Sequence, residues 1–317
     1  MNYPLRVVFF GTPHFSVPFL HACLEDKDIN ILAVVTQLDK SSGRGQELVS
    51  SPVKQITEAQ HLPIFQPNSL KSSETMEFLT SLSADVFVVV AYGKMIPLEI
   101  LALPSKGCVN VHPSLLPKYR GPSPLQASLL SGDKETGVTI MLLDKGMDTG
   151  PMLAQETVTL DSKETFLSLT KKIEAIAPNL LIQTLKKYAS GLIVPVPQDE
   201  TFASVTSLLE REDGRVDWRL PADVLDRRVR ALNPWPGTWT IWNRHGKDIR
   251  LKILHTQLSQ QLTDKNSGTV FIENEHLYIA TGSKTYLEIL SIQPEGKKEL
   301  SAAEFLRGYS DIVGSVL

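Results

Sequence analysis

The sequence has few of the features that mark secreted, membrane-spanning or disulfide-bonded proteins. Its 317 residues include only two cysteines, Cys23 and Cys108, which excludes a disulfide framework and is typical of a reducing compartment. No apolar run approaches the roughly 20 residues that a membrane-spanning helix needs. The first residues, MNYPLRVVFFGTP, lack the positive start and the small-residue cleavage site of a signal peptide. These absences predict a cytoplasmic protein.

The chain also lacks a strong charge of either sign. Its formal net charge is −3, with 21% charged and 42% hydrophobic residues, which is typical of an ordinary globular protein. A nucleic-acid partner would therefore have to bind a local basic patch rather than the whole surface. The length is too great for one ordinary hydrophobic core and predicts two domains.

The first half of the chain alternates apolar runs with helical patterns. The expected buried strands are LRVVFF (5–10), NILAVVT (30–36), DVFVVVAY (85–92), GCVNVH (107–112) and GVTIMLL (137–143). Ser51 and Pro52 are typical of an N-cap and of the first residue of a helix. Apolar strands separated by helices indicate a mostly parallel sheet covered on both faces. We predict a doubly wound, Rossmann-like α/β domain over residues 1–188.

The second half of the chain has a different texture. Residues 189–208 contain prolines and no sustained periodicity, so we interpret them as a linker. Beyond them, short strand patterns separated by turn residues are expected at 237–243, 248–255, 267–273, 275–282 and 285–293. Short strands at this spacing predict a small antiparallel β-barrel, OB-like, over residues 209–317.

Polar residues that can do acid–base chemistry occur where strands of the first domain end. Asn110 and His112 close the strand GCVNVH, and the alternation of a strand points both to one side. Asp148 follows the strand GVTIMLL in the turn DKGMDTG, and we expect it at the same edge of the sheet if the two strands are neighbours. An amide donor, an imidazole and a carboxylate together can stabilise an oxyanion and move a proton. Taken singly, each residue is as readily explained as an ordinary polar residue at a strand end or as a turn former.

Two other uses of these residues have less support. A zinc site would need more ligands than His112 and Asp148, and neither a Cys pair nor a His-x-x-x-His spacing supplies them. A dinucleotide-binding dehydrogenase would show GxGxxG after the first strand, where this chain has FFGTPHFSVP.

Motifs along nearly the whole chain carry a resemblance to a known family. They are FFGTPHFSVPFL, SGRG, SPVK, NVHPSLLPKYRG, GVTIMLLDKGMDTGPML, EDGRVDW, RALNPWPGTW and QPEGKKELSAAEFLRG. In this order they resemble the 10-formyltetrahydrofolate-dependent formyltransferases, and among these the members that act on methionyl-tRNA. The resemblance implies transfer of a formyl group from 10-formyltetrahydrofolate to the α-amine of methionine on initiator tRNA, without a metal.

The resemblance also assigns roles to residues. It implies that Asn110, His112 and Asp148 are catalytic. The residues expected to bind the folate donor are Ser114, Leu115, Leu116 and Pro117, and residues 88–97 are expected to form the other wall of the pterin pocket.

Contacts with the tRNA partner are expected on two parts of the chain. Arg44, in the motif SGRG, and nearby Lys40 lie in a Gly/Ser-rich loop that suits entry beside an acceptor stem. Lys297 and Lys298 belong to a set of second-domain residues that could share a basic face: Arg227, Arg228, Arg230, Arg244, Lys247, Arg250, Lys252, Lys297 and Lys298. We expect Trp235, Trp239 and Trp242 to fill the barrel core rather than to stack on bases. The protein is expected to be a monomer.

One alternative within the same chemistry stays open at this point. An enzyme with the same donor could formylate a small amine, such as a nucleotide sugar or glycinamide ribotide, or could hydrolyse the donor. The second domain, which shows no second set of catalytic residues, favours the tRNA acceptor.

Overall fold

A computed structural model describes residues 4–42, 47–259 and 261–317 of the chain. In the first half the strands are β1 (Leu5–Gly11), β2 (Ile29–Val35), β3 (Lys40–Ser42), β4 (Glu47–Val49), β5 (Ile64–Phe65), β6 (Val86–Val90), β7 (Cys108–His112), β8 (Glu135–Leu142) and β9 (Met152–Thr159). The helices are α1 (Val17–Glu25), α2 (Pro52–Ala59), α3 (Ser73–Ser81), α4 (Leu98–Leu101), α5 (Pro124–Ser131) and α6 (Phe166–Ala189).

The main sheet has the order β5-β2-β1-β6-β7-β8-β9. The pairs from β5 to β7 are parallel, whereas β8 pairs antiparallel with both β7 and β9. The sequence predicted a mostly parallel, doubly wound sheet, and this is confirmed. The chain builds outward from β1 to β5 and then returns to β6 on the other side of β1. In open α/β sheets such a switch point leaves a crevice for ligands beyond the carboxyl ends of the strands.

The apolar runs form the centre of this sheet because both of its faces are covered. Residues 7–10 of β1 are all fully buried. Helix α2 begins where the sequence predicted, since the Ser51 side chain accepts a hydrogen bond from the Lys54 N–H and Pro52 is the first helical residue.

The second half of the chain is mainly antiparallel. Its strands are β10 (Thr238–Arg244), β11 (Lys247–Leu258), β12 (Val270–Glu273), β13 (His276–Ala280), β14 (Tyr286–Pro294) and β15 (Leu300–Ser301), and its helices are α7 (Ala222–Leu232) and α8 (Ala302–Gly308). The strands form a half-barrel sheet of order β10-β11-β14-β13-β12, with β15 against β14. All five strands expected from the sequence are present. Helices α7 and α8 were not predicted, and they contribute Leu225, Val229 and Phe305 to the core of this domain.

Contacts divide the described chain into two compact units. The first comprises Met1–Pro124, Glu135–Thr159 and Thr170–Thr206, and the second Leu125–Lys134, Leu160–Leu169 and Ser207–Leu317. Residues 189–206, interpreted from the sequence as a linker, thus pack as part of the first unit. Within the described ranges, no helix is both long and apolar enough to cross a membrane.

Candidate active site

Asn110 and His112 lie side by side along β7, near the middle of the main sheet. Both are buried, with 9% and 4% of their surfaces exposed. They are two residues apart in a strand, so their side chains leave the same face, as the sequence predicted. Within the described part of the chain the Asn110 side chain makes no hydrogen bond, so its amide N–H groups can be donated to a ligand.

The imidazole of His112 is held between two groups. Its Nε2 lies 2.9 Å from the carbonyl oxygen of Tyr119, and its Nδ1 lies 3.5 Å from Oδ2 of Asp148. A carbonyl oxygen can only accept a hydrogen bond, so Nε2 carries the hydrogen and the neutral ring presents the lone pair of Nδ1 to Asp148. Nδ1 and the carboxylate are then two acceptors facing one space, which suits the N–H of an incoming amine.

Burial decides the charge of this ring. It lowers the pKa of His112 below the ordinary 6.5, and the nearby Asp148 carboxylate and the Tyr119 carbonyl offset only part of this effect. The imidazole is therefore neutral at pH 7 and able to accept a proton. Once protonated, its Nδ1–H would face Asp148, whose charge stabilises the imidazolium.

Asp148 reaches His112 by a longer route than the sequence suggested. The strands β7 and β8 are neighbours, but they run antiparallel, so Leu142 at the end of β8 pairs with Val109 and not with His112. The β8–β9 connection therefore starts at the opposite end of β7 from His112. Residues 143–148 return toward His112, so Asp148 lies beside His112, as the sequence predicted for neighbouring strands.

The connection that carries Asp148 is tightly folded. Asp144 accepts hydrogen bonds from the N–H of Gly146 at 2.9 Å and from the hydroxyl of Thr149 at 2.6 Å. Asp148 has a φ of +55°, in the left-handed region that Asp tolerates better than most residues. Its Oδ2 also accepts a hydrogen bond of 2.8 Å from the N–H of Gly121. One carboxylate oxygen is thus held by a backbone donor and directed at His112.

The four residues expected to bind the folate donor form a braced turn after β7. The hydroxyl of Ser114 donates to the carbonyl of Lys118 at 2.6 Å, and Leu116 is buried. The hydroxyl of Thr139 donates to the Ser114 carbonyl and accepts from the Leu116 N–H. Leu115 is half-buried, and the Pro117 carbonyl accepts from the N–H of Ser204. Most polar groups of this turn are thus bonded within the protein, and its role toward folate stays a prediction.

Residues 88–97 end β6 at the switch point of the sheet. Ala91 and Gly93 have positive φ values of 47° and 79°, which turn the chain sharply after the strand. The carbonyl of Tyr92 accepts from the hydroxyl of Thr12 and from the side-chain amide of Gln37. This turn therefore lies where the β1 and β6 carboxyl ends meet, and its role as a wall of the pterin pocket stays a prediction.

The residues expected to bind tRNA are spread over the chain. Arg44 lies outside the described residues. Lys40 is exposed on β3, and Lys297 and Lys298 are exposed in the turn between β14 and β15 of the second unit.

Several arginines of the expected basic face are engaged by carboxylates of their own unit. Arg227 pairs with Asp223, Arg230 with Asp226 and Arg244 with Asp311, all at 2.7–2.9 Å. Trp239 and Trp242 are buried, as expected. Trp235 is 59% exposed, so the expectation that it fills the barrel core was wrong.

Sequence reasoning missed two groups at the site. The first is the Tyr119 carbonyl, which orients His112 by a hydrogen bond; because it is a backbone group, no side-chain pattern predicts it. Gln198, in the segment interpreted as a linker, donates hydrogen bonds to the carbonyls of Asp148 and Gly150. Among the described residues no group of three or more His, Cys, Asp or Glu side chains could hold a metal ion.

The first domain is a doubly wound α/β domain, and it brings together the amide of Asn110, the imidazole of His112 and the carboxylate of Asp148. These side chains on this fold are typical of an α/β enzyme that uses acid–base chemistry. Residues 5–185 match the family described as formyl transferase, and residues 208–310 match the formyl transferase C-terminal domain. The chain belongs to the formyl transferase family.

Curated relatives agree with this, and a solved structure shares the fold. The chain is 42% identical over 306 residues to a methionyl-tRNA formyltransferase of Roseiflexus sp. (strain RS-1), covering 96% of this chain and 93% of that one. It is 43% identical over 305 residues to the protein of the same name from Roseiflexus castenholzii, covering 96% of each. The structure of HypX from Aquifex aeolicus in complex with tetrahydrofolic acid shares the fold, with a TM-score of 0.63, 18% identity, and coverage of 98% of this chain and 48% of that longer one.

Proposed function

We propose that this protein transfers the formyl group of 10-formyltetrahydrofolate to the α-amine of methionine on initiator tRNA, which yields formylmethionyl-tRNA for translation initiation. The observation that carries the proposal is the 42–43% identity to methionyl-tRNA formyltransferases over 96% of the chain, which includes the second domain. The solved relative that shares the fold holds tetrahydrofolic acid, the product form of the donor. Translation initiation in bacteria takes place in the cytoplasm, and we place the protein there.

The geometry of the site supports a specific route for the proton. The amine must lose a proton as its nitrogen attacks the formyl carbon, and the neutral Nδ1 of His112 can receive it. Asp148, at 3.5 Å from that nitrogen, then stabilises the imidazolium. When the bond between the formyl carbon and N10 of the folate breaks, the same proton can be returned to N10. No proton is gained or lost over the whole transfer.

The formyl oxygen needs separate stabilisation, because it becomes negatively charged in the tetrahedral intermediate. The buried Asn110 amide, which lies on the same face as His112, can donate a hydrogen bond to it. A donor aimed at such a developing charge lowers the barrier by about 3 kcal/mol. Placing the formyl carbon between Asn110 and His112 would satisfy both roles.

The donor is proposed to bind beyond the carboxyl ends of β6 and β7. Residues 88–97 include the end of β6 and the turn after it, and residues 114–117 come just after β7. The hydrogen bonds around Ser114 and Leu116 give the second segment a fixed shape. A preformed wall holds the formyl group near the catalytic residues at a lower entropic cost. The protein needs no metal for this chemistry.

The tRNA is proposed to contact Arg44, Lys40, Lys297 and Lys298. Lys40, Lys297 and Lys298 are exposed, so a phosphate could reach each of them. We further propose that the protein acts as a monomer, which sedimentation at micromolar concentration would check.

Transfer of a labelled formyl group tests the proposed function. Donor labelled in the formyl group is incubated with the protein and methionyl-tRNA, glycinamide ribotide, a nucleotide-linked amino sugar or no acceptor. We expect label only in methionyl-tRNA, and formylmethionine after the ester is hydrolysed. Label in a small amine, or release of formate without an acceptor, would replace the proposal with the corresponding activity.

A further inference from the structure

Residues 196–206, named here the strap, run beside both loops that build the candidate site. At one end Val196 and Met152 exchange backbone hydrogen bonds of 2.8 and 2.9 Å. At the other end the carbonyl of Ser204 accepts from the N–H of Arg120, and the N–H of Thr206 donates to the carbonyl of Arg120. The strap therefore spans from the end of the loop that carries Asp148 to the loop that follows His112.

Gln198 is the strap residue whose side chain joins these two loops. Its Nε2 donates to the carbonyl oxygens of Asp148 and Gly150, both at 2.8 Å. Its Oε1 accepts from Nε and Nη2 of Arg120 at 3.0 and 2.8 Å. A side-chain amide has two N–H donors and one oxygen with two lone pairs, so every hydrogen-bonding position of Gln198 is occupied.

The groups that Gln198 holds are those next to the His112–Asp148 pair. Arg120 directly follows Tyr119, whose carbonyl orients the His112 ring. The hydroxyl of Ser204 accepts from the Tyr119 N–H at 2.8 Å, so the strap also holds Tyr119 through its own N–H. Asp148 is held through its own carbonyl by Gln198 and through its carboxylate by Gly121.

We propose that Gln198 is a positioning residue, whose amide ties the Asp148 loop to the His112 loop and sets the separation of the carboxylate and the imidazole. The expected effect on kcat rests on the proposed function, whereas the expected effect on the separation of Asp148 and His112 does not.

The backbone at this point needs such support. Asp148 and Tyr119 both have positive φ values, of 55° and 61°, which non-glycine residues adopt at a cost unless the surrounding contacts hold them. Loss of the Gln198 amide removes the hydrogen bonds to the carbonyls of Asp148 and Gly150. Among the described residues, the Arg120 guanidinium then keeps only Glu200 as a carboxylate or amide partner. The Asp148 backbone can then relax, and the carboxylate moves away from His112.

The kinetic test compares Gln198→Leu with wild type and with Gln60→Leu, the same substitution at an exposed surface position of the first unit. We expect Gln198→Leu to lower kcat about 10- to 100-fold, because a shift of about 1 Å in a catalytic group has this effect. The KM values for donor and acceptor should change by less than about threefold, since neither is bound by Gln198. Wild-type kcat in Gln198→Leu would overturn the proposal.

A second readout needs no substrate and separates positioning from general structural damage. Wild type and Gln198→Leu, each with and without Asp148→Asn, are titrated by NMR of the His112 ring. In wild type, Asp148→Asn should lower the pKa of His112, because the carboxylate that raises it is removed. In the Gln198→Leu background the same change should shift the pKa much less. Equal shifts in both backgrounds would show that Gln198 does not hold Asp148 beside His112.

The two readouts also keep this proposal distinct from the proposed function. If wild type fails to formylate methionyl-tRNA, the activity assignment is lost while the titration still decides the role of Gln198. If Gln198→Leu does not fold, Gln198→Asn replaces it. That variant keeps the amide but is one methylene too short to join the loops, and it carries the same two expectations.

Discussion

At the scale of single residues, the site depends on an imidazole that is neutral and fixed in orientation. His112 is neutral because it is buried, and its orientation is fixed because the Tyr119 carbonyl accepts a hydrogen bond from Nε2–H. The free lone pair on Nδ1 therefore points at the place where an amine would lose its proton. In the proposed mechanism, Asp148 adds a negative charge that stabilises the imidazolium after the proton has moved to His112.

This division of roles predicts how the three candidate residues respond to substitution. Asn110→Ala and His112→Ala should each lower kcat about 100- to 1000-fold, because each removes a group that acts in the transition state. Asp148→Asn keeps the size and the tolerance of positive φ but removes the charge, and should be comparably damaging. Single-turnover formyl transfer measures the effect, and donor affinity should stay near that of wild type.

Asn30→Ala, at an exposed position on β2, is the matched control for these changes and should behave as wild type. A variant of Asn110, His112 or Asp148 with an unreduced single-turnover rate would remove that residue from the mechanism.

The buried His112 also makes folding stability depend on pH. Its folded pKa lies below 6.5, the ordinary value that the unfolded chain should show, so the unfolded state binds more protons as the pH falls through 6.5. Its contribution to stability is thus present above that pH and is lost below it. Urea unfolding at pH 7.5 and 5.5 should show a larger loss of unfolding free energy for wild type than for His112→Gln. An equal loss in both proteins would mean that the ring is not desolvated.

At the scale of secondary-structure elements, local signals predicted most of the fold. The Val- and Phe-rich runs form the buried parallel strands, because a strand covered on both faces must be apolar along its whole length. Helix α2 begins at Ser51-Pro52. Helix α7 was not predicted, since its three arginines obscure a buried face of Leu225, Val229 and Leu232. Helix α8 had a recognisable start, the capping box of Ser301 and Glu304.

The candidate site was predictable only in part, and for a related reason. Asn110 and His112 share one strand, so their relation follows from alternation. The contacts that place Asp148 join residues far apart in sequence: Gln198 lies 50 residues from Asp148 and 78 from Arg120. No local pattern encodes such contacts. The direction of β8 is likewise set by its antiparallel pairing with β7 and not by its composition.

The N-cap of α2 allows a test at this scale. The Ser51 hydroxyl accepts from the Lys54 N–H at 3.1 Å and also bonds the buried Thr36 hydroxyl at 2.8 Å. Ser51→Ala should lower the free energy of unfolding by about 1 kcal/mol, because both partners lose a hydrogen bond. Chemical denaturation measures this, with the neighbouring Ser50→Ala as a control that leaves the cap intact. An equal effect of the two substitutions would argue against the cap.

At the scale of the whole molecule, the proposed tRNA acceptor has to be bound by residues outside the candidate site. The chain carries a net charge of −3, so affinity for an RNA backbone has to come from local basic residues. Pairing of Arg227, Arg230 and Arg244 with carboxylates reduces what those arginines can offer to phosphates. Lys40, Lys297 and Lys298 are exposed, and Arg44 is assigned from its motif alone.

This view predicts the response of tRNA binding to salt and to Arg44. Affinity for methionyl-tRNA should fall steeply as salt is raised, because phosphate contacts release counterions. Arg44→Ala should weaken use of tRNA strongly and leave donor affinity unchanged. Arg44→Lys should restore only part of the loss, since an ammonium cannot reproduce the two-pronged contact of a guanidinium. Filter binding and donor titration measure the two affinities. Salt-independent binding together with an unimpaired Arg44→Ala protein would contradict the assignment.

The most direct test of the account compares two acceptors that present the same α-amine. One is methionyl-tRNA and the other is methionine methyl ester, and the measurement is kcat/KM for formyl transfer from 10-formyltetrahydrofolate to each. If binding of the tRNA body contributes to the transition state, methionyl-tRNA should be preferred by at least about 1000-fold. Similar values of kcat/KM for the two acceptors would contradict the central claim that this enzyme formylates methionine on its tRNA.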